Sequence, residues 1–315
     1  MNFQQLEYIL AVDKHRHFAK AAEKCFVTQP TLSMMIQKLE EELEIKIFNR
    51  DIKPVEPTKE GYEIIRRAKE LLTKAGLIKA YAAELKGENK GELHLGIIPT
   101  LAPYLLPLFL KSFTEKYPYL KVYIKEMLTN DIIEKLKKGD LDIGLLATPV
   151  QEPQLAEQVL FYETFYAYAS ANNNIPAKKL LLPRELDLNQ LWLLEEGHCM
   201  RNQVFNLCEL KKQDKRSTWL YYEAGSIETL INLVDKSNGI TIIPHLATLF
   251  IKPFQAKKMY EFADPKPSRE ISLVTIRDFP RKNLLENLKA SILDSIPLSL
   301  RSSLKKKVIG IGNIN

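Results

Sequence analysis

AKAAEKCFVTQPTLSMMIQKLEEELEIKIFNR, residues 19–50, holds two helical faces separated by a turn. Phe18, Ala21, Ala22 and Cys25 recur at helical spacing, and Leu32, Ile36, Leu39 and Leu43 form a second apolar stripe. Thr28 is placed to cap the second helix, with Pro30 in its first turn, where a missing N–H costs least. Upstream, Phe3, Leu6, Ile9 and Leu10 give one more helical face. Downstream the periodicity stops near residue 50, and Pro54 and Pro57 predict a short extended connection. Helix, turn, helix and extended wing is the plan of an all-α winged helix-turn-helix, here over residues 1–57.

With Leu32, Ile36 and Leu39 turned inward, the third helix presents Gln29, Pro30, Thr31, Ser33, Met34, Gln37 and Lys38. Small hydroxyls near a helix N-terminus reach phosphates, and glutamine bonds base edges in the major groove. These residues, with Arg50 and Lys53 of the wing on the backbone, are the candidate contacts to double-stranded DNA. Charge alone favours an ordinary solvated helical hairpin, since residues 1–60 hold 9 Lys/Arg against 10 Asp/Glu.

Residues 58–88 follow another rule. Ile64, Ala68, Leu71, Ala75, Ile78, Ala82 and Leu85 recur at alternating steps of four and three, which is a coiled-coil seam with alanines permitting close approach. The pattern predicts a linker helix that pairs with a second copy. The competing reading is a lone amphipathic helix packed on its own domain.

From residue 89 to about 300, strand and helix patterns alternate: GELHLGII, LKVYIKEML, LDIGLLA, TFYAYAS, LWLLEEG, STWLYYE, GITIIP and ISLVTIR, with helical runs such as SIETLINLVDK and NLLENLKASIL between them. Alternation predicts a mainly parallel sheet with helices on both faces, and the length suits two α/β lobes with the chain crossing twice. The tail at 301–315, ending VIGIGNIN, gives no clear structural signal.

The whole-chain properties bound the function. A chain of 315 residues is long enough for two domains, and 45% hydrophobic with 27% charged residues is a globular composition. The net charge of +6 permits nucleic-acid contact without establishing it. No stretch approaches the roughly 20 apolar residues of a membrane span, and MNFQQLEYIL lacks the plan of a signal peptide, so a cytoplasmic protein with no membrane contact is expected. The 3 cysteines are too few for a disulfide framework.

Two of those cysteines lie in EEGHCMRNQVFNLC, residues 195–208. The run from Met200 reads as helix, so Cys199 sits near a helix N-terminus, where the dipole favours a thiolate. His198 and Arg201 are close enough in sequence to add positive charge, while Cys208 falls on the apolar side. Nine residues of helix separate two α-carbons by about 13–14 Å, and a disulfide tolerates no more than about 7 Å. If the two ever join, the helix between them must unravel. Two unrelated cysteines, one half-exposed and one in the core, fit the spacing as well. Thr100, closing GIIPT, and Thr129, in EMLTN, follow the first two strands, outside carboxyl ends where α/β folds place ligands; each also reads as a helix cap. Cys25 has only core packing around it. His15, His17, His94 and His245 show no metal-ligand spacing, and no Gly-rich phosphate loop is present, so neither metal nor cofactor is implied.

The stretch at 19–50, with T-Q-P-T-L-S opening its recognition helix and T-K-E-G at 58–61 opening the linker, resembles the LysR-type transcriptional regulators over nearly the whole chain. Met35 departs from that pattern. The resemblance implies a periplasmic-binding-protein-like, two-lobed regulatory domain, a homo-oligomer built as a dimer of dimers, promoter DNA and RNA polymerase as partners, and no enzymatic activity. G-H-C-M-R-N-Q followed by Cys208 is similar to the redox segment of the peroxide-sensing OxyR branch. That implies Cys199 as the peroxide-reactive thiol, Cys208 as its resolving partner in a reversible disulfide, and Thr100, Thr129, His198 and Arg201 around a peroxide pocket. Asp142, in GDLDIG, matches the family without a chemical role. A LysR-type regulator binding a small metabolite between its lobes is the alternative; a thiol peroxidase and an envelope solute-binding protein fit less of the chain.

Overall fold

The computed structural model describes residues 1–85, 89–170, 180–187, 190–208, 223–301 and 307–309, with the side chains at 79, 80, 83–85 and 307 outside that set. It divides into two compact units, Met1–Lys86 and Gly87–Asn315.

The first unit is three helices and a wing: α1 (Phe3–His15), α2 (Phe18–Lys24), α3 (Gln29–Leu43), the two-residue pair β1 (Phe48–Asn49) and β2 (Glu56–Pro57), and α4 (Lys59–Leu85). Asn2 and Gln5 close a capping box on α1, and the Gln5 amide donates to the Met35 carbonyl at 3.2 Å, fixing α1 against α3. Thr28 caps α3 as its sequence predicts, accepting from Thr31 N–H. Leu6, Ile9, Leu32, Ile36 and Leu39 fill the core, while Phe3, expected inward, is exposed. The T-K-E-G signal has a steric cause. Thr58 Oγ1 donates to the Lys46 carbonyl and accepts from Gly61 N–H, and a Cβ on Gly61 would stand 2.0 Å from the Ile47 oxygen.

Helix α4 divides the expected seam. Ile65 and Ala68 are buried in the core of their own unit and Ile64 packs against it, so those two seam positions are occupied within the chain. Beyond them Leu71 is 41% and Ile78 is 72% exposed, and Ala82 is exposed. Leu85's side chain lies outside the described residues.

The second unit begins with β3 (Gly91–Ile97), α5 (Ala102–Lys116), β4 (Leu120–Glu126), α6 (Thr129–Lys138) and β5 (Ile143–Thr148). Strand β6 (Leu155–Ala169) runs on into β7 (Leu180–Leu181), α7 (Cys199–Leu207), α8 (Ile227–Lys236), β8 (Ile240–Pro244), α9 (His245–Thr248) and β9 (Met259–Phe262). The chain returns through β10 (Pro267–Ile276) to α10 (Lys282–Ser295), α11 (Leu298–Arg301) and β11 (Lys307–Val308). Strands β4, β3 and β5 are parallel, but β10 pairs antiparallel with both β5 and the first half of β6. The second half of β6 pairs antiparallel with β8 and β9. The sheet is therefore mixed rather than mainly parallel. The two strands that carry the chain between the lobes run opposite ways, and βα alternation does not register that reversal. LWLL forms only isolated bridges, Leu191 to Ile240 and Leu194 to Ala224, instead of a strand. Most of STWLYYE lies outside the described residues. The tail carries β11, parallel to the start of β10. Asp142 gains a structural role: its carboxylate accepts from His94 N–H at 2.7 Å, tying the approach to β5 onto β3.

Candidate functional site

Cys199 is the first residue of α7 and Cys208 its C-cap, so the two thiols stand at opposite ends of one helix. At 1.5 Å per residue their α-carbons are about 13–14 Å apart, beyond the roughly 7 Å limit of a disulfide. Gly197 sets the approach to this helix. Its φ is +93°, and a Cβ there would meet Leu128 at 2.7 Å. The 197–199 corner is thereby pressed against the segment that begins α6 at Thr129.

The Cys199 thiol is buried, and desolvation pushes its pKa above the ordinary value. Arg269 opposes that most strongly, followed by the Thr129 hydroxyl and the backbone N–H groups of Met200 and Cys199. The helix-end effect expected from sequence is present, but it only offsets part of the desolvation. Thr129 Oγ1 is buried beside the thiol and makes no hydrogen bond elsewhere among the described residues.

Arg269, on β10, is the charge that sequence reasoning missed. It is fully buried and lies directly across the ladder from Glu163 on β6, itself fully buried. Its Nε and Nη2 both reach Glu163 Oε2 at 2.8 Å, Nη1 donates to Thr100 Oγ1 at 2.9 Å, and Nη2 to the Thr100 carbonyl at 3.1 Å. Glu163 Oε1 accepts from Leu246 N–H. Thr100 thus accepts from the guanidinium and keeps its own proton to donate. A single glutamate in FYETFYAYA and a single arginine ahead of EISLVTI were the signal, because a charge inside a buried strand needs a partner on the facing strand.

Two expected neighbours do not supply charge. Arg201 turns away from the thiol: its Nη1 donates to the Leu194 carbonyl at 2.6 Å and pairs with Glu223 at 2.9 Å, and its guanidinium lies over Phe205. On a helix, a residue two positions on faces another direction. His198 is buried, which pushes its pKa down and keeps the ring neutral, with Glu195 3.5 Å away pulling weakly the other way. Cys25 is half-buried, its thiol pushed up by burial and by Glu7.

On α3, Gln29, Pro30, Thr31, Met34, Gln37 and Lys38 are exposed together, with Gln37 bonded to Glu41 at 2.9 Å. Arg50 is engaged within the chain. It donates to Ser33 Oγ and pairs with Glu40, both at 2.9 Å, and lies over the Phe18 ring. Its first effect is to hold the wing on α3. Lys53 is exposed in the wing.

Residues 3–62 match the bacterial regulatory helix-turn-helix family of lysR type, and residues 86–296 match the LysR substrate binding domain. The chain belongs to the LysR family of transcriptional regulators. Among LysR-family relatives, the hydrogen peroxide-inducible genes activator of Haemophilus influenzae is 33% identical over 296 residues, 94% of this chain and 97% of that protein. The dual regulator OxyR of Escherichia coli is 32% identical over 93% of this chain and 95% of its own length. A full-length cysteine-to-aspartate variant of Pseudomonas aeruginosa OxyR superposes with a TM-score of 0.75 at 32% identity, covering 94% of this chain and 99% of that one. A peroxide-bound cysteine variant of Corynebacterium glutamicum OxyR gives 0.62 at 27%, covering 100% and 98%. The chain is therefore a LysR-type DNA-binding regulator with a two-lobed α/β regulatory unit. Among the described residues, no helix is long and apolar enough to cross a membrane.

Proposed function

We propose that this LysR-family protein is a peroxide-sensing regulator of oxidative-stress genes, switched by a reversible Cys199–Cys208 disulfide. The observation that carries the reading is the placing of both thiols at the two ends of one helix, with a buried guanidinium and a buried hydroxyl beside the first. Arg269 and the α7 amides favour the Cys199 thiolate, which attacks one oxygen of hydrogen peroxide. The O–O bond breaks, the departing hydroxide takes a proton to become water, and Cys199 becomes a sulfenic acid. Thr129 and Thr100 hold hydroxyl protons that orient the peroxide and stabilise the leaving oxygen. Cys208 then attacks the Cys199 sulfur, releasing a second water. Because the thiols begin too far apart, α7 must lose its helix for this step, and that is how the chemistry becomes a change of shape.

In the same reading the exposed face of α3 enters the major groove, with Lys53 and Arg50 near the phosphates. Residues 1–57 are the DNA-binding part, 58–88 the pairing helix and 89–300 the sensor. The exposed part of the α4 seam, from Leu71 onward, joins two copies in a dimer of dimers. Repacking around α7 changes how copies meet, and with it the spacing of the DNA-binding heads and the access of RNA polymerase to the promoter. The setting is the cytoplasm, where the DNA is.

The test is peptide mass spectrometry before and after stoichiometric peroxide. Wild type should yield a peptide linking residues 199 and 208. Cys208→Ser should stop at sulfenic acid or over-oxidise, Cys199→Ser should show neither product, and Cys25→Ser should behave as wild type. No linked peptide in wild type, with Cys199→Ser still regulating, would leave a metabolite-responsive regulator.

A further inference from the structure

The segment after α11 docks where it touches both halves of the switch. Strand β11 pairs parallel with β10 at Pro267 and Ser268, immediately before Arg269. Ile309 follows it, 6% exposed and part of the main core. Its N–H donates to the Ser268 carbonyl at 2.8 Å, and its own carbonyl accepts from Gln203 Nε2 at 3.1 Å. Gln203 lies mid-way along α7, is fully buried, and has no partner for its Oε1 among the described residues. One residue thus bridges the strand that carries Arg269 and the helix that ends on the two cysteines.

A helix of 9 residues is marginal by itself and is held by tertiary contacts. Met200, Val204 and Leu207 supply apolar ones, which carry no directional requirement. The Gln203 bond is directional. When α7 unravels, a buried amide and a buried carbonyl both lose their partner, and an unmade buried hydrogen bond is expensive.

We propose that residues 307–309 form a latch on the redox helix, which holds α7 helical through Gln203 and so opposes the Cys199–Cys208 disulfide. The latch rests on the reading of those two cysteines as the redox pair. Disulfide formation takes two electrons and two protons from the thiols and gives them to peroxide, which leaves as two waters. The latch adds no chemistry to that balance. It raises the free energy of the product state, in which its contact is broken, and thereby sets how oxidising the surroundings must be before the switch turns.

Four proteins test it: wild type, a chain ended at residue 306, Gln203→Met, which keeps helix propensity and volume but cannot donate, and the combination of the two changes. Each is equilibrated in thiol–disulfide redox buffers and the linked peptide quantified. Both variants should shift the dithiol–disulfide equilibrium toward the disulfide about tenfold, the effect of one buried hydrogen bond, equivalent to about 30 mV more negative. The combination should shift no further than the shortened chain, because the Gln203–Ile309 bond is already absent there. In the reduced state, amide exchange in α7 should accelerate about as much in either variant, and this readout needs no cysteine chemistry. If the shortened chain fails to fold, Gln203→Met decides alone. Equal potentials and equal α7 exchange in all proteins would overturn the latch and leave the redox pair standing. A wild type that never links 199 to 208 would remove both.

Discussion

Arg269→Met is the most informative single change, because the buried guanidinium has separable structural and chemical effects. It removes the partner of a fully buried carboxylate together with two hydrogen bonds to Thr100. Breaking a buried ion pair from one side costs about 3–5 kcal/mol, since Glu163 is left charged and without its cation. Glu163→Gln is milder, for the amide oxygen still accepts from Leu246 N–H. Because the two share one interaction, the double variant should be more stable than the sum of the singles implies, by about 2–3 kcal/mol. Both tryptophans, Trp192 and Trp219, fall in the regulatory unit, so guanidinium unfolding followed by their fluorescence reports on this part of the chain. The chemical effect separates the variants by sign. The cation pulls the Cys199 pKa down against burial. Without it the thiolate forms only at higher pH, so the rise of the peroxide rate with pH should move up in Arg269→Met. Glu163→Gln leaves the cation without its counter-charge, and the rise should move down. Stopped-flow peroxide consumption on reduced protein measures both. Two profiles displaced in the same direction, or both unmoved, would refute the electrostatic role and leave Arg269 as a structural tie.

The other expectations are simpler. Leu71→Lys and Ile78→Lys replace exposed side chains of the α4 seam, so each should fold normally yet dissociate the assembly at micromolar concentration by light scattering, whereas an unchanged mass would place the pairing elsewhere. Gly197→Ala adds a Cβ 2.7 Å from Leu128 at a φ of +93°, which should shift Thr129 from the thiol and slow sulfenic acid formation with little loss of DNA binding; a wild-type rate would show that the corner does not set the site. Gln37→Ala should change which promoter sequences are preferred. Arg50→Ala should weaken binding to all of them and, by leaving the buried Glu40 without its cation, destabilise the first unit by about 1–3 kcal/mol; footprints identical to wild type in both would mean that α3 does not read the groove.

The helical unit was legible almost residue by residue, because a 3.6 period, a capping threonine and a first-turn proline are all local signals. Even the glycine of T-K-E-G, matched as a motif, rests on a local cause, its closeness to the Ile47 carbonyl. The regulatory unit was legible in its elements and not in their directions. Strands β6 and β10 read like the others, yet run antiparallel, since strand direction follows from a chain reversal 100 residues away. The site divided in the same way. Cys199, Cys208, Thr100 and Thr129 were singled out by resemblance, since their immediate context fits packing cysteines and helix caps as well. Arg269 was not, because its meaning depends on Glu163 across the sheet and on a thiol 70 residues earlier. Arg201 shows the same limit: nearness in sequence is not nearness in space, and its guanidinium goes to Leu194 and Glu223.

The proposed switch also gives a reason for the charge beside Cys199 to lie on β10. Any group carried by α7 leaves its position when the helix unravels, so an arginine at 201 would disperse the site each time the switch turned. Arg269 is held by the strand ladder, by Glu163 and by two bonds to Thr100, none of which involves α7. Thr129 likewise belongs to α6. On reduction the returning helix meets a cation and a hydroxyl already in place, and only Cys199 has to find its seat. The two functions of the thiol, reacting and moving, therefore need different anchors. In that switch the surroundings of the thiol are held by β10 and α6, and the cysteine is carried by α7, a helix of 9 residues. Wild type taken through oxidation and re-reduction should therefore react with peroxide as fast in its second cycle as in its first. A slower second cycle would show that the surroundings of the thiol do not outlast the helix.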